Sequence, residues 1–164
     1  GLVLMRCHSS VSVCVCLCVL ASKWLLCLRS SFFRNMFQSE MIESNQTVIE
    51  VDDPAATFLP LIKYIYTDSV SFKDYSYKEL VEILEIADKY MLVGMRRICE
   101  KYLCNHINEE NIFDLLLNQK IVYSNLRNRA IRYFLSHKKK LMKTEQAAEL
   151  LNYPELLFEL LESA

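Results

Sequence analysis

Glycine is almost absent from this chain, which limits the folds open to it. Only Gly1 and Gly94 occur in 164 residues, beside three prolines. P-loops and dinucleotide-binding loops need several glycines, because their backbone must approach phosphate closely. Tight hairpin turns also favour glycine. The sequence therefore excludes these phosphate-binding loops, disfavours a sandwich or barrel, and favours a helix-dominated domain.

The charge balance argues against a nucleic-acid partner. The chain carries 19 basic and 20 acidic residues, a net charge of −1, and 52% of its residues are hydrophobic. This composition can bury a core but lacks the positive footprint of a dedicated nucleic-acid binder. A basic cluster, Lys138-Lys139-Lys140 with Lys143, has no interleaved aromatic residues. We interpret it as a solvated helix end.

The first 20 residues differ in composition from the rest. No acidic residue precedes Glu40, and five of the seven cysteines lie within the first 27 residues. The apolar run Val11–Ala21 follows Arg6 and is too short to span a bilayer as a helix, so we expect no membrane partner. Two interpretations stay open. The run resembles a secretory signal peptide, and its alternating Val and Cys residues also suit a buried strand.

The cysteines show no metal-binding spacing. Cys14, Cys16 and Cys18 alternate, and no C-x-x-C knuckle exists that could hold zinc. Cys99 and Cys104 lie five apart in a helical segment, on different faces. We interpret the cysteines as small buried side chains in a reducing compartment, and we predict no metal and no cofactor.

Periodicity predicts the elements in the middle of the chain. Ser31–Phe37 places aromatic residues at core positions of a short helix, and Gln46–Asp52 alternates like a strand. Asp52-Asp53-Pro54 is typical of a helix start with an acidic cap. We expect a short strand at Ser69–Phe72, then two amphipathic helices separated by a turn at Gly94.

After Asn105 the pattern is helical throughout. The expected starts of four further helices are Asn108, Ser124, Thr144 and Tyr153. Catalysis has little support, because the chain has only three histidines and its carboxylate pairs lie at expected helix starts. We predict that the chain is not an enzyme, and we assign no catalytic residue.

Four segments together resemble a BTB/POZ domain. They are Ala21–Phe37 (ASKWLLCLRSSFFRNMF), then TVIEVDD, FLPLIKYIYTD and LLEIADKYMLVGMRRICEKYL. The tail from RAIRYFLSHKKK onward resembles the short BACK-like helical extension of the MATH-BTB (speckle-type POZ) family, although no segment here corresponds to a MATH domain. The resemblance implies an α+β, mostly helical fold, in which a helical cluster is flanked by a short sheet and followed by that extension.

The resemblance also implies a division of the chain. We expect an atypical apolar, Cys-rich leader over residues 1–20 and a BTB/POZ domain over residues 21–106, with its first strands missing or degenerate. The BACK-like extension is expected over residues 107–164.

The function implied by the resemblance is that of a protein-interaction adaptor in the cytoplasm or nucleus. Such proteins recruit the cullin-3 scaffold to a ubiquitin ligase complex through a hydrophobic-x-Glu motif after the early helix. Phe37, Met41 and Glu43 match that motif here. The alternative is a BTB oligomerisation or scaffold module in transcriptional or cytoskeletal assemblies, without ligase recruitment.

The expected dimer interface, also by resemblance, includes Leu25, Leu26 and Phe33. In the family an acidic residue of a first strand lies close to the arginine that corresponds to Arg29, and this chain has no acid before Glu40. Arg29 is therefore expected to lack its partner, which is costly for a partly buried charge. We predict that homo- or hetero-dimerisation with other BTB chains is weak or absent.

Overall fold

The computed structural model describes residues 1–7, 17–38, 47–118 and 124–162. The chain divides into two units, Gly1–Cys99 and Glu100–Ala164, and each is described by itself below. The described residues form three strands, eight α-helices and a 3-10 helix. The expected α+β, mostly helical fold class is thereby confirmed.

A three-stranded sheet opens the first unit. Its strands are β1 (Leu2–Cys7), β2 (Leu17–Ser22) and β3 (Val48–Val51), in the order β2-β1-β3. β1 pairs antiparallel with β2 and parallel with β3. One side of this sheet supplies core residues, namely Val3, Met5, Ala21, Ile49 and Val51.

The sheet corrects the expectation that the first strands are missing or degenerate. Residues 2–7 and 17–20, assigned to a separate leader from the sequence, lie in paired strands. The outer face of these strands carries leucines as well as Arg6, so the sequence lacks the apolar–polar alternation by which a half-buried strand is recognised. Both interpretations of Val11–Ala21 also concern residues 11–16, which lie outside the described residues.

Five helices follow in this part of the chain. They are α1 (Lys23–Arg29), α2 (Ser31–Gln38), α3 (Ala55–Thr67), α4 (Tyr77–Lys89) and α5 (Val93–Asn105). α5 crosses the division between the units, which falls between Cys99 and Glu100. A capping box starts α4: the Ser76 hydroxyl accepts the Glu79 N–H, and the Glu79 carboxylate accepts the Ser76 N–H at 2.8 Å.

Two predictions at the ends of α3 are wrong. Ser69–Phe72 is not a strand but an irregular link between α3 and α4, which buries Phe72. The acidic cap expected at α3 is also absent, since Pro54 occupies the N-cap position without a side-chain hydrogen bond. The Asp53 carboxylate instead accepts hydrogen bonds from Lys89 Nζ at 2.8 Å and Tyr90 Oη at 2.6 Å. It joins the start of α3 to the end of α4.

The turn between α4 and α5 does not lie at Gly94, as the sequence suggested. Gly94 is the second residue of α5, and Met91 adopts the left-handed conformation at φ 53°. The Met91 N–H donates to the Asp88 carbonyl and the Leu92 N–H to the Ala87 carbonyl, both at 2.8 Å. This is a Schellman ending, a motif in which glycine usually occupies the position that Met91 holds here.

The second unit contains the end of α5 and four further helices. These are α6 (Ile112–Leu117), α7 (Ser124–Leu141), the 3-10 helix Glu145–Asn152 and α8 (Pro154–Glu162). Its core includes an edge-on contact between Phe113 and Phe134, whose centroids are 6.2 Å apart. Arg127 of α7 pairs with Glu159 of α8, with Nε and Oε1 2.8 Å apart.

The expected helix starts in this unit fall close to the observed ones. Asn108 lies one turn before α6, where its Oδ1 accepts the N–H groups of Glu110 and Asn111, both at 3.0 Å. Thr144 precedes the 3-10 helix without a side-chain cap, and α8 begins immediately after Tyr153.

Candidate protein-interaction surfaces

An aromatic cluster fixes α2 against the end of α4. The buried ring of Phe33 stacks on Tyr90 with centroids 5.2 Å apart, and Phe32 packs edge-on against the same tyrosine at 4.9 Å. Ser30, 1% exposed, donates its hydroxyl to the Tyr90 carbonyl at 2.7 Å and accepts the Phe33 N–H at 3.2 Å. Packing and hydrogen bonds therefore set the direction of α2.

Phe37 lies at the edge of this cluster. Its half-buried ring stacks on Phe33 with centroids 6.3 Å apart, and Lys23 Nζ lies 5.0 Å from the Phe37 centroid. An exposed cation–π contact of this kind contributes about 0.5–1 kcal/mol. Phe37 is thus held near the end of α2, before the segment with Met41 and Glu43. Those two residues lie outside the described residues.

A second surface is apolar and exposed, and we call it the outer apolar face. Leu2 is 60% exposed and Leu20 is 61% exposed, on the side of the sheet opposite the core. The next element, α1, exposes 70% of Trp24 and 55% of Leu28, one turn apart. Grouped apolar exposure of this kind is typical of a protein-interaction site.

The three residues expected at the dimer interface differ in how far they are buried. Leu25 is half-buried, whereas Leu26 is 0% exposed and Phe33 is 1% exposed. Leu26 and Phe33 pack inside their own unit, so the expectation that they contact a second subunit directly needs correction. They belong to the core on which α1 and α2 pack.

The sequence reasoning missed the outer apolar face, although two signals point to it. Leu2 and Leu4 alternate with the buried residues Val3 and Met5 along β1. In α1, Trp24 and Leu28 are spaced to share a side. Neither signal says that the surface is left uncovered, because that depends on which elements pack against it.

Arg29 does not lack an ionic partner, which corrects the sequence expectation. Its Nη2 lies 2.5 Å from Oδ1 of Asp68, and its Nε donates to the Ile65 carbonyl at 3.4 Å. Asp68 ends α3 in the left-handed conformation, at φ 54°, which acidic residues tolerate. The Arg29 side chain is 34% exposed, so its desolvation is partial. The pairing joins α1 to the end of α3.

The cysteines form no metal site in the part of the chain that the structure describes. Within those ranges no three His, Cys, Asp or Glu side chains are grouped closely enough to hold an ion. Burial raises the pKa of the Cys99 thiol to about 12, so this cysteine is a neutral core side chain at pH 7. No helix of the described segments is long and apolar enough to cross a membrane.

Comparison with known proteins identifies the family of this domain. A family model described as BTB/POZ domain matches residues 7–107, which is more than half of the chain. The chain is also similar to TD and POZ domain-containing protein 3 of Mus musculus, at 30% identity over 128 residues. That alignment covers 77% of this chain and 35% of the mouse protein, so the chain spans about a third of its relative's length.

Proposed function

Because this chain belongs to the BTB/POZ domain family, we propose that it is an interaction adaptor that recruits cullin-3 to a ubiquitin ligase complex. BTB domains are protein-interaction modules, and a non-enzymatic role is part of this proposal. The proposal includes the BACK-like nature of residues 107–164, the likeness to MATH-BTB proteins and a cytoplasmic or nuclear location. The observation that supports cullin-3 recruitment is the position of Phe37. It lies four residues before Met41 and six before Glu43 in the sequence, and its ring stacks on Phe33 of the aromatic cluster.

The chemistry of the three residues suits a helix-groove contact. Phe37 and Met41 are large apolar side chains, and Glu43 adds a charge two residues beyond Met41. In protein interfaces a few apolar anchors carry most of the binding energy, while charged neighbours select the partner and its register. Held at the end of a fixed helix, Phe37 presents such an anchor at a low entropic cost.

A capture experiment with purified cullin-3 tests this proposal. The 164-residue chain is compared with the double variant Met41→Ala/Glu43→Ala. We expect the variant to bind at least about 30-fold more weakly, which corresponds to loss of a hot spot of about 2 kcal/mol.

The matched control is Met142→Ala/Glu149→Ala, which changes an exposed methionine and an exposed glutamate of the second unit. It is expected to bind like the unchanged chain. Equal capture of all three proteins, or no capture of the unchanged chain, contradicts the proposal.

A second function, BTB self-association, is favoured by the outer apolar face. The expectation of weak dimerisation rested on absent first strands and an unpaired Arg29, whereas β1 and β2 are paired and Arg29 contacts Asp68. The exposed Trp24 and its neighbours offer a hydrophobic surface that a second BTB chain could cover. In this alternative the chain acts as a dimeric scaffold, with or without cullin-3.

A further inference from the structure

One face of α7 lines a pocket in the second unit. The pocket has a volume of about 280 Å³, near the lower end of the size range of ligand sites. Its α7 residues are spaced three and four apart, so that they share one side of the helix: Arg129, Arg132, Tyr133 and Ser136. Asn105 and Ile107, at the end of α5 and just after it, also line the pocket.

The two arginines of this pocket have no carboxylate partner within the described ranges. Arg132 Nε donates at 3.3 Å to the Asn128 carbonyl of its own helix, and Arg129 forms no ion pair there. Arg127, two residues before Arg129, is by contrast bound to Glu159 on two oxygens. Two arginines thus line one small pocket, and neither forms an ion pair among the described residues.

Cys104 also lines the pocket but does not supply an anion. Burial and then the nearby Glu100 carboxylate raise the pKa of the Cys104 thiol, while Arg129 and Arg132 oppose that rise. The thiol is therefore neutral at pH 7. Both arginines and the Glu100 carboxylate thus lie close enough to this thiol to act on its pKa, in opposite directions.

We propose that this pocket binds a single phosphoryl group carried by a phosphorylated segment of a partner protein. Guanidinium groups bind phosphate through paired, charge-assisted hydrogen bonds, and arginine clusters recognise phosphorylated segments in this way. Tyr133 and Asn105 line the same space, and their side chains carry uncharged donors. The site would give the chain a phosphorylation-dependent contact.

A peptide fits this pocket better than a nucleic acid does. The pocket is small and holds two unpaired arginines, whereas the net charge of the whole chain is −1. A polyanion needs a continuous basic track, whereas two arginines at one small pocket form a compact site. One lysine of α7, Lys140, is already paired with Glu109 at 2.6 Å.

The first experiment follows backbone amide NMR shifts of the isotope-labelled 164-residue chain during titration with inorganic phosphate. Sodium chloride of equal ionic strength is the reference. We expect saturable shifts around Arg129–Ser136. They should require at least about tenfold more phosphate in the double variant Arg129→Gln/Arg132→Gln, which loses the charge-assisted hydrogen bonds.

A matched variant, Lys138→Gln/Lys139→Gln, removes two positive charges from the same helix and should bind phosphate like the unchanged chain. Ser136→Asp places a carboxylate beside the arginines and should also abolish binding. The amide spectra themselves show whether each variant is folded. Non-saturating shifts, or equal weakening by the arginine and lysine pairs, would overturn the proposal, because both indicate general charge attraction.

A second arm distinguishes the sources of the phosphoryl group. N-acetyl-phosphoserine methylamide is compared with inorganic phosphate and with a short single-stranded oligonucleotide. We expect the phosphoserine compound to bind at least as tightly as phosphate at the same amides, and the uncharged serine analogue not to bind. Tighter binding of the oligonucleotide, lost in the lysine variant, would instead assign this face to nucleic acid and contradict the proposal.

Discussion

At the scale of single residues, the α4–α5 junction separates two roles that are often combined in one glycine. Met91 takes the left-handed turn, although such a conformation costs about 1 kcal/mol or more in a residue with a Cβ. Gly94 instead leaves room for a neighbour, because a Cβ there would lie 2.3 Å from Oη of Tyr64. The glycine is required by packing and not by backbone conformation.

This close approach predicts a coupling between positions 94 and 64. Gly94→Ala should lower the free energy of unfolding by about 1–3 kcal/mol, because the new methyl group overlaps a hydroxyl on a ring that is only 7% exposed. In a Tyr64→Phe background the same change should be neutral or stabilising, since Cζ is 3.5 Å away and alanine favours helix over glycine.

Urea unfolding of the four proteins measures this coupling as a double-mutant cycle. Equal costs of Gly94→Ala in the tyrosine and phenylalanine backgrounds would show that the hydroxyl is not the obstacle. The cycle also cancels the loss of the Tyr64 interaction with Asp68, which, after burial, helps to raise the pKa of the tyrosine.

At the scale of elements, the sequence predicted best what depends on local pattern. The aromatic spacing of Ser31–Phe37, the alternation before Asp52 and the helical tail all correspond to observed elements. Ser69–Phe72 has a strand-like composition but pairs with no strand of the described sheet, whose order is β2-β1-β3. Strand pairing depends on residues distant in sequence, which a local pattern does not contain.

Contacts between residues distant in sequence were equally unpredictable at the candidate site. The motif Phe37, Met41 and Glu43 was found by resemblance, and the position of Phe37 on the aromatic cluster agrees with the core spacing in α2. The contact between Arg29 and Asp68 could not be predicted, because no local pattern relates α1 to the end of α3. The acidic residues before Pro54 suggested a helix cap for α3. The Asp53 carboxylate instead accepts hydrogen bonds from Lys89, at the end of α4, and from Tyr90.

The ion pair between α7 and α8 predicts a pH-dependent contribution to stability. Hydrogen bonding to Arg127 holds the pKa of the Glu159 carboxyl below its ordinary 4.5. Stabilisation by this group is therefore complete above the unfolded-state pKa and is lost as the pH falls through the lower folded-state pKa. Because both side chains are partly exposed, Glu159→Gln should cost about 1 kcal/mol at neutral pH.

Urea unfolding at about pH 7 and about pH 3 tests this contribution. The difference between the unchanged chain and Glu159→Gln should shrink at the lower pH. Glu149→Gln is the control, because Glu149 is exposed and pairs with no cation among residues 1–7, 17–38, 47–118 and 124–162. A difference that is the same at both pH values would show that the ionised carboxylate is not responsible.

At the scale of the whole molecule, the sheet contributes to the core on one side and leaves apolar residues uncovered on the other. Val3 and Met5 are 0% exposed, whereas Leu2 and Leu20 on the other side are more than half exposed. Trp24 and Leu28 of α1, the element that follows β2, are also more than half exposed. Such a group of exposed apolar side chains favours association with another chain.

Trp24→Asp should weaken the proposed self-association by at least about 30-fold, because it places a charge at the largest exposed side chain of the outer apolar face. Sedimentation velocity over a range of micromolar concentrations measures the change. Leu151→Asp is the control, since Leu151 is 75% exposed in the second unit and lies outside that face. A monomeric unchanged chain, or equal dissociation in both variants, would refute self-association through this surface.

The contact between Arg29 and Asp68 couples two helix ends. Asp68 lies at the last turn of α3, and its carboxylate neutralises an arginine at the end of α1. Fraying of the last turn of α3 therefore also removes the counter-ion of Arg29, so the charge balance of α1 depends on the order of a segment much later in the chain.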